Sequence, residues 1–132
     1  MARARIDESV GRAAVRGVLA DHAATRGGPS RDAANRGDRD TLALATRYLL
    51  QVLAEGSPGR SVEVRVPPFG AVQAVEGVRH TRGTPPNVVE LDAETFVAIA
   101  TGGLTWGEAA ATGRVQASGA RSDLSSLFPL PF

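Results

Sequence analysis

The chain has 132 residues, enough for one domain with one core, and its 42% apolar and 22% charged residues are ordinary for a soluble globular protein. Cysteine is absent, which excludes disulfides, thiolate metal sites and cysteine nucleophiles, and no apolar run approaches the roughly 18–20 residues that span a bilayer. All 15 basic residues are arginine, but 14 acids leave a net charge of +1, far from the footprint of a dedicated nucleic-acid binder.

MARARIDES has positive charge but no apolar stretch behind it, so it does not read as a secretory signal, and the expected location is cytoplasmic. Residues 6–26 read as a helix. Val10, Ala14, Val15, Val18, Leu19 and His22 recur at spacings of three and four, and Asp7 and Glu8 sit near the start, where the helix dipole favours acids. RGGPSRDAANRGD (26–38) reads as a polar linker. A second helix runs from about Asp40 to Glu55, capped by Asp38 or Asp40 and stopped by Gly56 and Pro58. Its stripe is Leu42, Ala45, Tyr48, Leu49, Val52 and Leu53, with Arg47, Gln51 and Glu55 opposite. Leu44 and Leu50 lie off that stripe, which implies that this helix touches neighbours on more than one side.

SVEVRV (61–66) alternates strictly and reads as a half-buried strand ended by Pro67-Pro68. AVQAVE (71–76) is a second strand, Val78 to Arg82 a weak third, and NVVEL (87–91) a further one. Asp92 reads as the N-cap of a helix carrying Glu94, Phe96, Val97, Ile99 and Ala100, which Gly102-Gly103 ends. Thr105 and Glu108 fit a capping box for a short helix, with Leu104 and Ala109 spaced as a hydrophobic staple and Gly113 as its stop. RVQAS (114–118) is a last strand, and Ser122 to Phe128 a final short helix closed by Pro129 and Pro131. The order describes an α+β domain with helices covering one face of a sheet.

Chemistry-bearing motifs are sparse. The only histidines, His22 and His80, stand in no HxH or HExxH spacing, so no metal site is assigned. GxSxG and GxGxxG are absent, and a GxxxxGK[ST] loop needs a lysine the chain does not have, so no catalytic residue and no cofactor is assigned either. Polar capacity concentrates in RHTRGT, where Arg79, His80, Thr81, Arg82 and Thr84 form either an anion clamp or a solvated surface turn. The two arginines would hold a nearby His80 neutral. Phe96, Ile99, Leu104, Trp106, Leu124, Leu127 and Phe128 must all pack near one small sheet, as core or as the lining of an apolar cavity under a short terminal lid.

NVVELDAETFVAIATGGLTWGEAAATGRVQASGARSDLSSLFPL resembles the closing half of sterol carrier protein type 2-like domains, through Asp92, Phe96, Gly102-Gly103-Leu104, Ala109-Ala110, Gly113-Arg114-Val115, Gly119, Leu124 and Leu127. With SVEVRVPPFGAVQ and HTRGTPPNVVE, residues 40–132 resemble the compact bacterial sterol carrier family proteins. The resemblance implies a twisted sheet of about five strands, helices over it, and an apolar tunnel between. It also implies a non-enzymatic carrier of lipids, fatty acyl groups or sterols, here fatty acyl rather than sterol. Such domains also stand behind the metal-binding bundle of mycothiol-dependent maleylpyruvate isomerases, whose length and histidines this chain lacks, so that activity does not carry over. Residues 1–38 are then an N-terminal helix and linker, and 39–132 the carrier-like domain. The seven apolar residues become the tunnel lining, and Arg79, His80 and Arg82 its polar mouth. The alternative is an interaction module with a closed core, forming a homodimer or docking a partner protein through the N-terminal helices or the C-terminal tail.

Overall fold

The two leading helices pair as an antiparallel hairpin because each carries one apolar stripe that needs a cover. A computed structural model describes residues 4–24, 34–77 and 87–132, with α1 at Glu8–Ala24 and α2 at Ala34–Gly56. Ala14, Val15 and Val18 of α1 join Ala45, Tyr48 and Leu49 of α2 in one core. The approach is close at Gly11, where a β-carbon would lie 2.7 Å from Tyr48 Cδ2 and nearer still to Cγ and Cδ1.

Helix α2 begins at Ala34, six residues before the expected start at Asp40, so Asp38 and Asp40 lie inside the helix and the linker read over 26–38 ends earlier. Gly37 costs such a helix about 1 kcal/mol relative to alanine, which did not suffice to stop it. Across the hairpin Asp21 hydrogen-bonds Asp38 and raises its pKa.

The remaining elements are β1 (Val62–Val66), β2 (Gly70–Ala74), β3 (Val88–Leu91), α3 (Ala93–Thr101), α4 (Trp106–Ala111), β4 (Val115–Ser118) and a 3-10 turn at Ser125–Leu127. Four described strands form one sheet in the order β2-β1-β3-β4. The weak strand expected at 78–82 lies outside the described residues. Strand β1 is antiparallel to β2 and parallel to β3, and β3 is antiparallel to β4, with Val64 opposite Val72 and Leu91 opposite Val115. Val62, Val64, Val66, Val89 and Leu91 face the helices and are buried, while Glu63, Arg65, Gln73, Glu90 and Gln116 alternate onto the other face. The terminal helix expected over 122–128 shortens to the 3-10 turn, whose N-terminal end has no side-chain cap.

Local signals hold where they had a mechanism. Asp92 Oδ1 accepts the Thr95 amide at 2.8 Å, and Gly102, at φ 88°, donates its amide to the last carbonyls of α3. Thr105 and Glu108 complete the reciprocal capping box of α4. Strand β2 stops because Val75 takes φ 67°, an outlier for a β-branched residue. Three hydrogen bonds hold it there: its amide donates to Ser57 O at 2.7 Å, and its carbonyl accepts from Ser61 N–H at 3.1 Å and Ser61 Oγ at 2.7 Å. Asn87 ties the far end of the sheet, donating to Ser61 O at 2.7 Å and accepting the Arg121 amide at 2.9 Å.

Candidate functional site

Helix α2 has three working sides. One meets α1 and another meets the sheet and α3. Along a third, Leu44, Arg47, Leu50, Gln51 and Glu55 overlook the edge strand β2. There they line a groove of about 650 Å³ with Phe69, Gly70, Ala71 and Val72 opposite and Ala4, Arg5 and Ile6 along one wall. The N-terminal wall is fastened to α2 twice. The Gln51 amide is used at both ends, with Oε1 accepting the Ile6 amide at 2.8 Å and Nε2 donating to Ile6 O at 2.9 Å. Arg5 donates to both Glu55 oxygens, at 2.7 and 2.8 Å. This fork-to-fork pair holds the Glu55 carboxyl below its usual pKa, through its hydrogen bond first and its charge second.

Arg47 is bound differently. Its Nε donates to Phe69 O at 3.2 Å, which anchors the guanidinium beside the β1–β2 turn. Its terminal nitrogens pair with no carboxylate among the described residues, whose ion pairs are Arg5–Glu55, Arg12–Glu8 and Arg65–Glu63. The groove therefore has an apolar floor, one neutralised arginine and one arginine with donors to spare. Such a floor can take a hydrocarbon, and such a rim can take an anion.

Of the seven C-terminal residues read from sequence, Phe96, Ile99 and Leu124 are buried members of the one core, and Leu104, Trp106, Leu127 and Phe128 are half-buried against that core. Phe128 presents its edge to Phe96, with centroids 6.4 Å apart, and stacks on Trp106 at 5.9 Å and 16°. Beyond it the Leu130 amide donates to Ala100 O at 2.9 Å, pinning the tail to the end of α3. The α2–β2 groove touches none of these seven residues. Arg79, His80 and Arg82 lie outside the described residues. Among the described residues no group of three or more His, Asp or Glu side chains is placed to hold a metal. No helix among them is long and apolar enough to cross a membrane.

In the sequence Arg47, Gln51 and Glu55 lie opposite the apolar stripe of this helix, and no motif marks Arg5, Phe69 or Val72. The signal that pointed to the groove was the off-stripe position of Leu44 and Leu50, which both line it.

A sequence profile of the family described as bacterial SCP ortholog matches residues 38–130, about seven-tenths of the chain. The chain belongs to this sterol carrier protein-like family. No curated protein matches it. The family-matched stretch contains most of α2 and everything that follows through Leu130, so it includes the sheet, the C-terminal aromatic cluster and two walls of the groove. Helix α1 and the Ala4–Ile6 wall precede it.

Proposed function

We propose that the protein binds and carries lipids or other amphipathic small molecules without catalysing a reaction, and that its ligand is fatty acyl rather than sterol. The observation that carries this reading is the family match over residues 38–130, since sterol carrier protein-like domains are in general non-enzymatic lipid carriers. Most bacteria make little or no sterol, which favours the acyl class for a bacterial family. In this reading Phe96, Ile99, Leu104, Trp106, Leu124, Leu127 and Phe128 line an apolar interior, and the stack of Phe128 on Trp106 is its movable closure. Arg79, His80 and Arg82 form a polar mouth, and the protein works in the cytoplasm.

Delipidated protein titrated with a fluorescent fatty acid and with a fluorescent sterol tests the proposal. Saturable binding of the acid, and weaker binding of the sterol, is the expected result. Absence of saturable binding for either overturns it.

A further inference from the structure

We infer that the groove between Ala4–Ile6, α2 and the edge strand β2 is a binding site for a single-chain amphipathic carboxylate, with the head group on Arg47 and the chain on Leu44, Leu50, Phe69 and Val72. The inference rests on the carrier reading but seats the ligand in this groove rather than in the C-terminal interior, and gives it a polarity and a residue that reads the head group.

Three observations converge. The groove's volume of about 650 Å³ falls inside the roughly 300–1,000 Å³ of small-molecule sites. Its floor offers hydrocarbon from three separate elements, with Leu44 and Leu50 on α2, Phe69 on the turn and Val72 on β2. Leu44, Phe69 and Val72 are only partly covered, so a ligand chain still has apolar surface to remove from water.

The charges then set the ligand's polarity. Arg5, Arg47 and Glu55 line the same groove, and Arg5 spends its charge on Glu55. Among the described residues, Arg47 is left as the uncompensated cation of the groove. Its Nε bond to Phe69 O fixes the fork while leaving the terminal nitrogens as donors. A carboxylate matches a guanidinium fork with two parallel hydrogen bonds, whereas a sterol hydroxyl or an ester supplies no charge. The arginine's methylene stem covers the first carbons of the chain. The third wall belongs to this chain's own N-terminal segment, which lies before the family-matched stretch. Gln51 and Glu55 act as positioning residues, because they clamp that wall and do not meet the ligand head.

The experiment is a titration of the full chain with parinaric acid and with its methyl ester, in the wild type, Arg47→Gln, Arg47→Lys, Val72→Asp and, as a remote control, Arg65→Gln. Arg47 is exposed, so its pair with the ligand is partly screened and is worth roughly two- to fivefold in affinity at low salt. The expected result is that loss for the acid in Arg47→Gln, partial recovery in Arg47→Lys, and no change for the ester. Val72→Asp weakens both ligands, and Arg65→Gln neither. Should Val72→Asp fail to fold, the acid–ester difference in the exposed Arg47 variants still decides the matter. If the wild type binds neither ligand, the carrier reading itself fails. If the wild type binds and Arg47→Gln binds the acid as well as the wild type does, or loses acid and ester equally, this inference is overturned while the carrier reading stands.

Discussion

Replacing Gly11 by alanine tests the helical hairpin at its narrowest point. The new methyl would sit 2.7 Å from Tyr48 Cδ2 and closer to two further ring carbons, all in the body of a buried ring. Tyr48 must turn or the helices must part. Overpacking of this kind costs about 1–3 kcal/mol, and the rigid partner places Gly11 in the upper part of that range. Against it stands a gain of about 1 kcal/mol from replacing glycine inside a helix. The net expectation is a loss of about 1–2 kcal/mol. Gly107 provides the contrast, because a β-carbon there meets nothing within 4 Å. Gly107→Ala in α4 should therefore keep the propensity gain and stabilise by up to about 1 kcal/mol. Urea unfolding followed by circular dichroism reads both variants. Equal stabilisation by the two alanines would refute the close contact, and a trimmed Tyr48→Leu partner should restore much of what Gly11→Ala loses.

Thr46 is fully buried and its hydroxyl has no hydrogen-bond partner among the described residues, so Thr46→Val should stabilise the chain by about 1 kcal/mol in the same assay. A loss would show that the hydroxyl is satisfied. Phe128→Ala removes both the stack on Trp106 and the edge contact with Phe96. A fully buried phenylalanine costs about 3–5 kcal/mol on truncation; half-buried Phe128 should cost about 2, and the single tryptophan's emission should shift to the red. Unchanged emission would place Trp106 elsewhere. In the folded chain Asp7, Glu55, Glu108 and Asp123 titrate below the ordinary carboxylate range, held by hydrogen bonds from Ser9, Arg5, Thr105 and Ser125 respectively. Their contribution is present above about pH 4.5 and is lost as pH falls through their folded values. Asp38 runs the other way: its raised pKa stabilises at acid pH, and that share disappears as pH rises through the folded value. Asp38→Asn should therefore be more stable than the wild type at pH 7, with the difference vanishing in acid. A difference that persists or grows in acid would rule out the shared proton.

What was legible in the sequence follows from how locally each feature is determined. The caps at Asp92 and Thr105 were readable because donor and acceptor lie three residues apart. The alternation of Val62, Val64 and Val66 identified the buried face, since strand periodicity needs no partner to be recognised. The start of α2 was missed because Gly37 and the acids around it look like punctuation, while the contact with Asp21 that accompanies the longer helix comes from another element. The left-handed Val75 carries no sequence signal, because its strain is held by Ser57 and Ser61 across a turn. The groove was half legible. Leu44 and Leu50 announced a further neighbour, but that neighbour is an edge strand and an N-terminal segment brought there by the tertiary fold. The fastening of Ile6 to Gln51 and of Arg5 to Glu55 spans about 45–50 positions, beyond the reach of any periodicity.

The central claim is that this chain carries an amphipathic small molecule, and native mass spectrometry tests it most directly. The protein would be examined as purified and again after incubation with excess hexadecanoic acid. The expected result is a bound species heavier than the bare chain by the mass of one acid, at a stoichiometry of about one per chain, and lost on delipidation. Only the bare chain under both conditions would contradict it.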